Sequence, residues 1–101
     1  MTDDDKLMLN EMMQRSAAFD GVTWLQEYIL ENTDLITEAY QLSSAMYQYS
    51  QYNDDDGWRD QLGEWCDRAR CCVTLVMTGN KKRNIASHEL FTLANTISDL
   101  V

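Results

Sequence analysis

Residues 58–77 read WRDQLGEWCDRARCCVTLVM, and within them Trp58, Leu62, Trp65, Ala69, Cys72 and Val76 recur at intervals of 4-3-4-3-4. Alternating steps of three and four return to one side of a 3.6-residue helix, so the stretch predicts an amphipathic helix with two indoles in its apolar stripe. Gly79-Asn80 follows as a stop signal, because glycine enters the left-handed conformation that ends a helix without steric cost. Lys81-Lys82-Arg83 makes a basic connector. Asn84 or Ser87 is expected to cap a last helix, in which Ala86, Leu90, Leu93, Ile97 and Leu100 keep the same spacing.

Upstream of this stretch, Asn53-Asp54-Asp55-Asp56-Gly57 reads as a loop, preceded by Leu35, Ala39, Leu42, Met46 and Tyr49 at 4-3-4-3. A break or kink is expected near residue 32, where Asn32 suits the end of one helix and Thr33 the start of another. Thr23-Trp24-Leu25-Gln26 has the form of a capping box, which would start a helix whose apolar side is Trp24, Leu25, Tyr28 and Ile29. Earlier still, Thr2 as N-cap and Asp3 to Asp5 in the first turn suit a helix start, since carboxylates complement the positive end of the dipole. That helix would run to about Phe19, with Leu9, Met12, Met13, Ser16 and Phe19 on one side, and would end at an Asp20-Gly21 turn.

The chain has no proline and only four glycines, too little punctuation for many short strands. A length of 101 residues suits one core and not two. The expected fold is therefore all-α: a single domain over residues 1–101, built as a compact antiparallel bundle of four or five helices crossing at ~20°. Spacing near 3.5 residues also allows a homodimer, with the last helix as the expected contact.

Charge is distributed unevenly. Residues 1–65 hold 14 of the 17 acidic side chains but only Lys6, Arg15 and Arg59 among the basic ones, which is −11, while residues 66–101 sum to +2. A field of that sign repels nucleic acid and anionic membrane and attracts cationic protein surfaces. The acidic start does not resemble a secretory signal and no apolar run approaches the ~20 residues of a membrane span, so a cytoplasmic location is expected. Cys66, Cys71 and Cys72 are an odd set with no Cys-x-x-Cys pair, which fits free thiols in a reducing compartment. The only histidine, His88, stands sixteen residues beyond Cys72. Neither a metal nor a cofactor is expected, and the phosphate-binding glycine loops and the nucleophile elbow of the common enzyme classes are missing.

Two features are candidates for binding. Glu27, Glu31, Asp34 and Glu38 recur at 4-3-4 and would line one face if the helix continued through residue 32. With Asp54, Asp55 and Asp56 they would present a charge array of the kind a nucleic acid backbone presents. The second feature is the segment 39–53, which has no charge but carries Tyr40, Tyr47, Tyr49 and Tyr52 among glutamines. Tyrosine combines apolar area with a hydrogen-bonding tip, so Tyr49 or Tyr52 is expected at an interface; the competing reading is that Tyr40 and Tyr47 fill the bundle core and the rest cap it. The resulting expectation is a non-enzymatic, stoichiometric inhibitor that occupies the basic surface of a nucleic-acid-handling protein. It resembles in type, though not in motif, the small acidic anti-CRISPR and anti-restriction proteins of phage. The alternative is a small regulatory or assembly adaptor that docks through its Tyr-rich helix.

Overall fold

The computed structural model describes residue 6, residues 20–52 and residues 57–101. The expected first helix up to Phe19 and the Asp54 to Asp56 triplet lie outside the described residues. Within them there are four helical segments: α1, to which residues 20–32 belong; α2, Ile36–Tyr52; α3, Trp58–Met77; and α4, Arg83–Ser98. No strand occurs among the described residues.

Two expected boundaries are overturned. Asp20 and Gly21 do not form a turn, since residues 20–23 already lie in α1, and Thr23 therefore caps nothing. Gly21 is tolerated there because the apolar residues Val22, Leu25 and Ile29 are buried and outweigh the ~1 kcal/mol that glycine costs in a helix. Gln26 instead accepts a hydrogen bond from Ser43 Oγ at 2.7 Å, tying α1 to α2. The α4 cap also differs: the helix begins at Arg83 with the extended Lys82 at its N-cap, and neither Asn84 nor Ser87 serves.

The break at residue 32 is present and has a local cause. Thr33 Oγ1 donates to the carbonyl of Ile29 at 2.7 Å and accepts from the Leu35 amide at 3.2 Å. One hydroxyl thus closes α1 and opens α2 across residues 33–35. At the far end of α3, Gly79 (φ 79°) adopts the left-handed conformation; its N–H reaches Val76 O and the next N–H, of Asn80, reaches Leu75 O. That pair of bonds is the Schellman arrangement, as the Gly79-Asn80 stop predicts.

The core is continuous across all four segments. Leu25 and Ile29 of α1, Leu42 and Met46 of α2, Trp65 of α3 and Leu90 of α4 are among its members. Sequence neighbours run antiparallel: residues 22–26 of α1 lie beside residues 47–40 of α2, and Cys72 of α3 meets Ala86 and Glu89 of α4. Among α2, α3 and α4, however, the most extensive packing is between α2 and α4, and these are parallel. Asp34 meets Arg83, Glu38 meets Ser87, and Ala45 borders the same groove as Ala94, a constant offset of 49 residues. Helix direction thus alternates along the chain, and the like-directed α2 and α4 are packed side by side. Small side chains at Ala45 and Ala94 let α2 and α4 approach closely, which two facing leucines would prevent.

Candidate functional site

Of the two tyrosines expected at an interface, Tyr52 is exposed and Tyr49 is not, and the reading that puts Tyr40 and Tyr47 in the core is overturned. Tyr49 is 3% exposed and stands edge-on to the Trp65 ring at 4.8 Å, a core contact between α2 and α3. Tyr40 and Tyr47 are the exposed ones, at 52% and 40%, and Tyr52 is exposed at 75%. The series Leu35, Ala39, Leu42, Met46 and Tyr49 that turns Tyr49 inward necessarily turns Tyr40 and Tyr47 outward, so the sequence contains this sorting once the series is followed to its end. Ile36, Tyr40 and Tyr47 form an outer stripe with Ser44 between the two rings.

A shallow groove lies on each side of that stripe. One, of about 370 Å³, runs between α1 and α2 over Val22, Thr23, Gln26 and Ser43; the other, of about 360 Å³, runs between α2 and α4 over Gln41, Gln48, Asn95 and Ser98. No charged side chain lines either groove.

The carboxylate stripe does not form one face, because the helix stops at residue 32. Glu27 and Glu31 remain together on the exposed side of α1. Asp34 sits in the break and accepts Arg83 Nε at 2.6 Å, which holds its carboxyl below the usual carboxylate range. Glu38 is buried and accepts Ser87 Oγ at 2.9 Å. Of the four expected carboxylates, Glu38 is thus withdrawn from solvent between α2 and α4, while Asp34, still exposed, is paired with Arg83 at the start of α4. The basic connector is likewise engaged. Lys81 pairs with Glu89 at 2.5 Å, which holds the connector against α4, and Arg83 pairs with Asp34, which ties the start of α4 to the α1–α2 break.

A third groove, of about 320 Å³, lies between α3 and α4, with Ala69, Cys72, Leu90 and Leu93 beneath Arg68 and His88. Cys72 Sγ donates to Glu89 Oε2 at 3.4 Å, and burial, reinforced by that acceptor, pushes the thiol up to about 11. Burial does the same to Cys66. A thiol protonated at neutral pH is a poor nucleophile. Among the described residues no three His, Cys, Asp or Glu side chains converge as a cation would require. No described helix is long and apolar enough to cross a membrane.

The sequence reading also missed Trp24. Placed there on an apolar side, it is 51% exposed and stacks on Tyr28 with ring centroids 5.4 Å apart and planes 12° from parallel. Tyr28 is held in turn by Thr74 Oγ1 at 3.1 Å and Met77 Sδ at 3.6 Å. Compared with protein families, with curated proteins and with solved structures, the chain finds no match.

Proposed function

We propose that this protein acts without catalysis, by stoichiometric docking of the outer face of α2 against another protein. One observation carries the reading: the only charged residue of α2, Glu38, is buried, so a 17-residue surface helix presents no charge to water. A solvated helix ordinarily carries charge on its outer face. Tyr40 and Tyr47 offer broad, rigid contact area there, and the grooves beside them suit the ridges of a partner helix.

The acidity supplies steering. A formal charge of −11 in residues 1–65 draws in a partner whose docking site has a cationic rim. Nucleic-acid-handling proteins build such rims, so the partner class is a protein of that kind and the effect of binding is to occlude its basic groove. The chain would then be an inhibitor of the phage anti-defence type. Glu38 is buried and Asp34 is already paired with Arg83, which leaves the uncharged face, and not a continuous carboxylate array, as the principal contact.

The test is affinity capture from a cytosolic extract with the wild-type chain and with Tyr40→Ser/Tyr47→Ser. The expected result is a partner retained in a 1:1 ratio by the wild type, lost by the variant, and unable to bind its nucleic acid while complexed. Retention of the same partner by both chains would refute the role of α2. Loss of it only on reversing Asp54, Asp55 and Asp56 to Lys would restore pure charge mimicry in its place.

A further inference from the structure

On the flank of α1 that faces away from α2, Asp20, Trp24, Glu27, Tyr28 and Glu31 follow one another at helical spacing over three turns. The two rings are stacked, so Tyr28 covers one side of the indole while half of the Trp24 surface stays in water. On the N-terminal side of the indole stands Gly21, where even an added Cβ would meet no atom within 4 Å. The ring pair is rigid for a surface feature, because the Tyr28 hydroxyl is anchored on α3 by Thr74 and Met77. Asp20, Glu27 and Glu31 are all exposed, and none makes an ion pair among the described residues. This sets them apart from Asp34, Glu64, Asp67 and Glu89, each of which is paired.

The geometry points to this flank of α1 as a docking site for an arginine side chain of a partner protein. An exposed indole face attracts a cation through its quadrupole, and a carboxylate one turn away on either side completes the charge complement. Arginine fits better than lysine, because a planar guanidinium stacks on the open ring face while its edge donates two parallel hydrogen bonds to Asp20, the carboxylate on that side, with Glu27 at the rim of the ring pair. A methylated lysine is not favoured: its recognition uses rings set around the cation, whereas these rings are nearly parallel and offer one outer face. The site is separate from the α2 face and does not depend on it.

The experiment titrates the folded chain with hexa-arginine and hexa-lysine peptides by isothermal calorimetry and by tryptophan fluorescence. Trp58 and Trp65 are buried, so a fluorescence change reports Trp24. Hexa-arginine should bind more tightly than hexa-lysine and perturb the emission. Asp20→Asn/Glu27→Gln should weaken it about fivefold or more, and Trp24→Leu by a similar factor. Asp60→Asn/Asp99→Asn removes the same net charge elsewhere and should leave affinity within about twofold. Tyr40→Ser/Tyr47→Ser should also leave it unchanged, so this site stands or falls apart from the α2 reading. Equal weakening by the two charge-neutral pairs, or equal affinity for the two peptides, would show a diffuse field and overturn the proposal. Because Asp20 and Glu27 are exposed and make no ion pair among the described residues, their variant remains a valid test even if Trp24→Leu proves unstable.

Discussion

Tyr49 and Tyr40 lie nine residues apart on one helix, yet substitutions at them should separate stability from binding. Tyr49→Ala empties a space against Trp65 and should lower unfolding free energy by ~3 kcal/mol in a denaturant titration. Tyr40→Ser, at a half-exposed position, should leave the midpoint almost unchanged. The cysteines divide by the same criterion of burial. Cys71 is exposed, while Cys66 is half-buried and Cys72 buried. A thiol reagent at pH 8 should modify one cysteine per native chain promptly and the other two only on unfolding. The pH dependence has a definite sign. Both shielded thiols sit at about 11 in the folded chain against an ordinary 9.0, so they leave stability untouched below pH 9. As pH rises from 9 toward 11 the unfolded chain releases protons that the folded chain keeps, and stability should fall.

The α1–α2 break depends on one side chain. Thr33→Ala removes both the bond to Ile29 O and the acceptor for the Leu35 amide, and should cost about 1 kcal/mol, with faster hydrogen exchange at Leu35 as its local signature. At the α2–α4 seam, Ala94→Leu should overpack the contact with Ala45 and cost about 1–3 kcal/mol, read from the thermal midpoint. The interior of these elements was legible in the sequence, because apolar spacing records which side of a helix is buried: the 58–76 and 35–49 series both lie in the core as read, apart from the half-buried Val76. The ends were less legible. Asp20-Gly21 has the composition of a turn, but composition expresses only a local preference, and the burial of Val22, Leu25 and Ile29 overrides it. Arg83 and Glu38 read as surface charges because their partners, Asp34 and Ser87, are 49 residues distant and spacing along the chain carries no trace of them.

Across the whole molecule, a net charge of −9 makes folding concentrate like charges, so the thermal midpoint should rise as sodium chloride is raised from low to moderate concentration. A flat response would mean that ion pairs such as Arg83–Asp34 already balance that repulsion locally. The candidate sites were only partly visible in the sequence: acidity, the uncharged tyrosine segment and Glu27 with Glu31 were apparent, whereas the Trp24–Tyr28 stack required knowing that α3 stands beside α1. The parallel seating of α2 on α4 bears also on how the chain acquires its shape. Among α2, α3 and α4, the two that pack most extensively are the pair separated by the whole of α3, so the loop closed by their contact is long, and the entropy of closing it is met late in folding. A nascent chain that has emerged only as far as Met77 holds α1 to α3 without the wall against which Leu42 and Met46 come to rest. Such a fragment should stay collapsed but unlocked, bound by chaperones and open to proteases, until Leu90 and Ile97 leave the ribosome.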